Sequence, residues 1–297
     1  VYIFVNVELS PNPTALWLCQ LPGMTATLLK QLLAAFGSAE AIMRASSGPL
    51  RRLGVAPALV AQIVAGPRQV AQVAAGLKGL QRLGIVPLPL ASTAYPDRLQ
   101  ALNEPPLVVY VHGQWPIPQP LALIIQAGDL EPRVAQTWTE LASALQAHIG
   151  LATLAAGSEV QLALPRLLGL PYGLMLARQR LPQAVWKQVT AGTCTLISTS
   201  PPTAQPDPMA TQATSRTLVA LADALVALLP LPAETDDLVA TARSVGVPMF
   251  AISATPRTPM PPHMRRLRAG KKSVQTLAAT LGVHLDGAAT VQQERLF

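Results

Sequence analysis

The chain has 297 residues, half of them hydrophobic and only 12% charged, with a formal net charge of +7. That composition excludes a disordered chain and assures a substantial core, enough for two domains or one large α/β domain with a small appendage. The best apolar window, Leu218 to Leu231, is broken by Asp223 and Pro230, well short of the ~18 residues a membrane span needs.

The opening VYIFVNVEL carries Glu8 and no basic region, so no signal peptide is read there and the cytoplasm is the expected compartment. Cys19 and Cys194 lie far apart and read as buried thiols. His112, His148, His263 and His284 have no metal-type spacing, and no metal or other cofactor is expected.

The first 84 residues read as a small helical domain. Leu28, Leu29, Leu32, Leu33 and Phe36 recur at helical spacing, Gly37 stops that helix, and Ser38 caps a second one reaching Ser46. Leu21-Pro22-Gly23-Met24-Thr25 is a tight turn entering the first helix, and Leu53-Gly54-Val55 enters another over Ala58 to Val64. Helices joined by such turns resemble a helix-hairpin-helix or SAM-like module, in which the amides around Gly23 can meet a DNA phosphate. A plain helical bundle is the alternative. Pro67 to Leu83 is a further helix ending at Gly84.

Residues 85–120 read as a connecting segment that ends in the strand Leu107 to Val111 and a proline-rich junction. Residues 121–285 then alternate strands and helices, leaving 286–297 as a tail. The expected strands are Leu121–Ile125, Leu151–Ala155, Tyr172–Ala177, Thr195–Ser198, Ala224–Leu229 and Pro248–Ser253. Pro132 to Ile149 is a helix with Val134, Trp138, Leu141, Leu145 and Ile149 on one stripe, and Thr235 caps another through Ser244. Short apolar strands alternating with helices predict a doubly wound, Rossmann-like parallel sheet, with ligands expected outside the carboxyl ends of the strands.

Several segments, taken in order, resemble the DNA-processing DprA (Smf) family. Tyr95-Pro96, Leu99, Pro105-Pro106, Val109-Tyr110 and Gly113 match its Tyr-Pro-x-x-Leu, Pro-Pro and Leu-Tyr-x-x-Gly pattern. Arg216, Leu221, Asp223 and Ala224 match the second half of its arginine-rich signature. GVPMFAIS (Gly246 to Ser253) and HMRRLRAGKKSV (His263 to Val274) resemble its last strand and the stretch that follows. The resemblance implies a homodimeric, non-enzymatic protein that binds single-stranded DNA in DNA uptake, transformation and recombination, and that loads a RecA-type recombinase.

The departures from that pattern bear on the phosphate pocket. The loop after the first strand, Val-Gly-Ser-Arg in the family, is Ala127-Gly128-Asp129-Leu130, followed by Glu131. The next loop is reduced to Ala156-Gly157-Ser158-Glu159, and a Ser-Gly-Ser/Thr-Leu loop has become Thr235-Asp236-Asp237-Leu238. A phosphate cradle needs small residues and a cation, and here acids replace them, so the pocket is expected to be degenerate.

The candidate DNA contacts are Gly23, Gly128, Arg216, Arg257, Arg265, Arg266, Arg268, Lys271 and Lys272. Arg216 either meets phosphate or pairs with Glu131, Glu159 or Asp223. The basic segment 257–272 is either a replacement contact or a solvated loop. Trp138, Tyr172 and Trp186 are the candidate stacking aromatics, with core packing the simpler role for each, and Glu234, Asp236 and Asp237 read as acids favoured by a helix dipole. The competing reading of the whole chain is a protein-interaction scaffold that keeps the fold without DNA binding.

Overall fold

Small polar residues and glycines divide the start of the chain into short helices. The computed structural model describes residues 12–126, 130–145, 148–154, 167–231 and 235–285. The Asn12 side chain accepts from two backbone N–H groups and starts α1 (Pro13–Cys19). Thr25 caps α2 (Ala26–Phe36), which ends at Gly37 with φ +84°, and Ser38 caps α3 (Ala39–Arg44), as the sequence predicts. α4 (Ser47–Arg52), α5 (Pro57–Val64) and α6 (Pro67–Arg82) complete this helical region around the buried side chains of Leu18, Leu29, Leu32, Ile42, Leu50 and Ile63.

β1 (Ile85–Pro89) is a strand that periodicity does not reveal. Pro87 and Pro89 are tolerated because β1 is an outer strand, paired only with β2 (Val108–His112). Tyr95 is buried between these strands in sequence, and its hydroxyl donates to the Pro106 carbonyl at 2.7 Å, which ties the Tyr-Pro turn to the double proline.

The remaining elements are β3 (Leu121–Gln126), α7 (Pro132–Leu145), β4 (Gly150–Leu154), β5 (Leu167–Gly169), α8 (Ala177–Arg180), α9 (Gln183–Thr190) and β6 (Thr195–Ser198). They are followed by α10 (Pro208–Leu221), β7 (Ala224–Leu228), α11 (Asp236–Ser244), β8 (Met249–Ile252), β9 (Arg265–Leu267) and α12 (Lys271–Thr280). The result is one nine-stranded sheet in the order β1-β2-β6-β5-β4-β3-β7-β8-β9. Every pair from β6 to β9 is parallel, while β1–β2 and β2–β6 are antiparallel.

Alternate residues of the central strands feed two cores. Leu123, Leu225 and Ala227 join the core that includes α10 and the helical region, whereas Ile124, Val226 and Leu228 pack with Trp138, Leu141 and Leu277 of α7 and α12. The sheet is thus covered on both faces. Asp223 holds its central strands in place: its carboxylate accepts from the Leu121 N–H at 2.8 Å and pairs with Arg98 at 2.6 Å.

Two expectations are corrected. The strand expected at Tyr172–Ala177 is Leu167–Gly169 instead, and residues 174–176 form a 3-10 turn leading into α8. Gly173 is the physical reason: a Cβ there would stand 2.2 Å from the Pro202 carbonyl oxygen, so the segment packs under the Pro201–Pro202 turn rather than pairing in the sheet. The helix expected to reach Ile149 is described over Pro132–Leu145, and His148 and Ile149 lie outside it. No helix among the described residues is long and apolar enough to cross a membrane.

Candidate nucleic-acid interface

In a doubly wound sheet the chain reverses direction at one point, and the carboxyl ends of the flanking strands splay apart there to form a crevice. Here β4 and β7 lie on either side of β3, and a cavity of about 810 Å³ opens at the carboxyl ends of β3 and β4. Its described lining includes Gln126, Thr153, Asp207, Ser215 and Asp237 with an apolar floor of Leu123, Ile125 and Leu154, and no Lys, Arg or His. Asp207 caps α10 by accepting from the Met209 N–H.

Arg216 stands beside this crevice, and Asp237 holds one edge of its guanidinium bidentately. Nε donates to one carboxylate oxygen at 2.8 Å and Nη2 to the other at 2.7 Å, while Gln212 also donates to Asp237. The partner is therefore neither Glu131 nor Asp223, and Glu159 lies outside the described residues. Asp237 reaches Arg216 because α10 packs against α11. The hydrogen bond from Arg216 holds the Asp237 carboxyl below the ordinary carboxylate range, and the same bond raises Arg216. Leu130, where the family pattern has arginine, packs against the α7 side of the core. Gly128 and Asp129 lie outside the described residues, as do Gly157, Ser158 and Glu234.

A different surface lies beyond β5 and β6, on α8 and α9. Arg178 sits 5.4 Å from the centre of the Trp186 ring, and Arg180 sits 5.3 Å from that of Tyr172. Both arginines are exposed, and neither is ion-paired among the described residues. The Trp186 indole is fixed by donating to the Ala177 carbonyl at 3.2 Å and by the edge of His112, whose ring centre is 5.5 Å away. Burial and Arg178 push the His112 imidazole down, and a hydrogen bond with the Leu83 carbonyl pulls the other way. Arg180 also donates to Gln205.

Sequence reasoning missed these two arginines because it placed Tyr172–Ala177 in a strand. The signal was two arginines next to a Leu-Pro turn and a tryptophan on the following helix. Of the candidate aromatics, Trp138 is fully buried as expected, Tyr172 is buried with a guanidinium over one face, and Trp186 is only partly buried.

The basic segment 257–272 occupies the opposite flank. Arg257, Arg265, Arg268, Lys271 and Lys272 are exposed and make no ion pair among the described residues. Arg268, Lys271 and Lys272 gather at the turn from β9 into α12, with both lysines in the first helical turn, where the helix dipole disfavours a cation and favours an anion. Arg266 is different. Its guanidinium donates to the Thr255 and Thr258 carbonyls and braces that loop. Gly23 is exposed in the turn between α1 and α2, with φ +84°.

The two flanks do not converge. β5 and β9 are five strand positions apart, roughly 24 Å at ~4.8 Å per strand. Between them lies a crevice whose described charged lining is acidic and whose neighbouring arginine is already paired.

No family model matches the chain, and no curated protein matches it. Its fold is similar to that of DNA processing protein A (DprA) from Streptococcus pneumoniae, with a TM-score of 0.67 over 90% of this chain and 98% of that chain, at 12% sequence identity. DNA processing protein A from Helicobacter pylori, described for its single-stranded DNA binding mode, is similar over 58% of this chain and 82% of that chain, at 18% identity and a TM-score of 0.45. An N-terminal helical region followed by a nine-stranded, mostly parallel sheet is thus a DprA-like fold.

Proposed function

We propose that the protein binds single-stranded DNA through the flanks of its sheet edge, with the central crevice contributing no phosphate contact. The observation that carries this reading is the pair of exposed guanidiniums laid on aromatic rings, Arg178 on Trp186 and Arg180 on Tyr172. A guanidinium held over an aromatic ring with no carboxylate partner keeps its charge and N–H donors for a phosphate beside a π surface, the combination that sequence-tolerant single-strand binding uses; Arg180 gives one N–H to Gln205. Arg257, Arg265, Arg268, Lys271 and Lys272 add a second cationic patch. The DprA-like fold and the sequence resemblance extend the reading to a cytoplasmic, homodimeric, non-enzymatic protein of DNA uptake and transformation that hands the strand to a RecA-type recombinase.

The scaffold reading draws on one observation, the closed Arg216–Asp237 pair. Fluorescence anisotropy of a labelled oligo-dT across a salt series decides between them. Micromolar or tighter binding with a steep salt slope, lost in Arg178→Ala/Arg180→Ala, supports DNA binding at this flank. A folded sample that binds nothing at low salt overturns it and leaves the scaffold.

A further inference from the structure

Helix α6 carries charge that neither the fold nor the sheet edge uses. Its sequence PRQVAQVAAGLKGLQR contains three cations and no acid. At 100° per residue, Arg68, Lys78 and Arg82 fall within an arc of about 80°, roughly opposite the stripe of Val70, Val73, Leu77 and Leu80 that packs on the core. All three are exposed and make no ion pair among the described residues, and Ala71 and Ala75 between them are exposed as well. Arg68 to Arg82 spans about 21 Å at ~1.5 Å per residue.

This stripe is held rigidly and abuts the arginine–aromatic flank. At its start, Gly66 sits so close to Trp17 that a Cβ would lie 2.4 Å from the ring, and the Trp17 indole donates to Gln69 at 3.0 Å. At its end, Gly84 lies against His112, where a Cβ would stand 3.1 Å from Cε1, and Ile85 pairs with His112 in the sheet. His112 in turn meets the Trp186 ring that carries Arg178. A chain of direct contacts therefore runs from the end of α6 through His112 to the stacked arginine.

We infer that the Arg68–Lys78–Arg82 face of α6 is a second, phosphate-directed contact for single-stranded DNA, continuing the path of a strand that starts at the Arg178–Trp186 stack. The inference rests on the single-strand reading of that flank. A polyanionic strand fits better than an acidic protein because between its cations the stripe offers only small side chains, the exposed Val64 and Leu83 standing beyond its two ends rather than at its centre, where a protein interface has its anchor. Small residues between cations let a phosphate backbone approach closely, and sequence-independent binding needs no more than that.

The test compares an oligo-dT of about 8 nucleotides with one of about 30, since single-strand sites span ~4–16 nucleotides. In wild type the longer strand binds more tightly with a steeper salt slope. In Arg68→Gln/Lys78→Gln/Arg82→Gln the short strand binds as before, while the slope for the long strand falls by about 2, from ~0.7 per phosphate contact. Near 0.1 M salt that is a loss on the order of 100-fold. Acetylation of Lys78 in the wild-type protein is a second readout that needs no variant, and the long strand protects this amine while the short one does not.

A variant that binds both strands like wild type, or a Lys78 equally reactive with the long strand bound, overturns the inference and leaves the flank reading standing. Failure of wild type to bind either strand overturns the flank reading as well. Displacement of the long strand by polyglutamate of equal charge at equal concentration assigns the stripe to acidic proteins and also overturns it.

Discussion

At the central crevice Arg216 gives its Nε and Nη2 donors to Asp237, whereas Arg178 and Arg180 lie over aromatic rings with no carboxylate opposite them among the described residues. The same side chain is ion-paired in one place and without a described carboxylate in the other. A bidentate carboxylate takes two of the five N–H donors of a guanidinium and balances its charge, so an incoming phosphate meets an already neutralised pair. An aromatic face holds the guanidinium without neutralising its charge, and of Arg178 and Arg180 only the latter gives an N–H to a described side chain, Gln205. Arginine count at a strand end is thus a poor guide to anion binding, and what each guanidinium already touches is a better one.

The largest effect is expected at Gly173. Gly173→Val drives a side chain into the Pro201 and Pro202 carbonyls and displaces the segment bearing Arg178 and Arg180. We expect a loss of about 3 kcal/mol or more in urea unfolding, together with loss of oligo-dT binding. Retention of full stability and binding removes the packing role assigned to this glycine. Trp186→Ala withdraws the support under Arg178 and is expected to weaken oligo-dT binding by about 10- to 100-fold, from ~1–3 kcal/mol per stacking platform. An unchanged affinity by anisotropy places the strand elsewhere.

On the opposite flank, Arg265→Ala/Arg268→Ala/Lys271→Ala is expected to lower the log–log salt slope by about 2. A full slope in that variant makes the segment the solvated surface that charge runs commonly form.

The smallest effect belongs to the centre. Asp237→Asn releases Arg216 and should cost under about 1 kcal/mol of stability, because both groups are about a third exposed. Its oligo-dT affinity should stay level or rise a few-fold, and a fall shows that the crevice already contributes. The pH dependence has a definite sign. Asp237 is depressed in the folded protein, so its contribution to stability is present above the ordinary carboxylate range and is lost as pH falls through the depressed value. Thermal unfolding of wild type and Asp237→Asn should therefore converge as the solution is acidified.

Much of the fold was legible because its signals are local. Gly37 and Ser38 mark a helix stop and a cap, and the runs Leu121–Ile125, Thr195–Ser198 and Ala224–Leu229 each give a strand in its expected place. β1 was hidden by Pro87 and Pro89, which only an outer position tolerates, and β5 was misplaced because its true residues are three and its apolar neighbour Tyr172–Ala177 looked more strand-like. The candidate site was less legible. The acids that change the crevice were visible in the loops, but the pairing of Arg216 with Asp237 joins two helices 21 residues apart, and spacing alone could not choose it over Glu131, Glu159 or Asp223.

Residue order alone specifies the alternation of buried strands and amphipathic helices, the excess of cations toward both ends, and the acids where a phosphate loop would stand. These follow from residue type and local periodicity, which act over a few positions. Only the tertiary structure decided which cations are engaged. Arg98 on Asp223, Arg216 on Asp237 and Arg266 on two loop carbonyls are closed by contacts from distant or folded-back segments. Arg178, Arg180 and the α6 stripe have no carboxylate partner among the described residues. Charge is written residue by residue, whereas its neutralisation depends on distance in space, and that distance is fixed only when the sheet brings remote segments together.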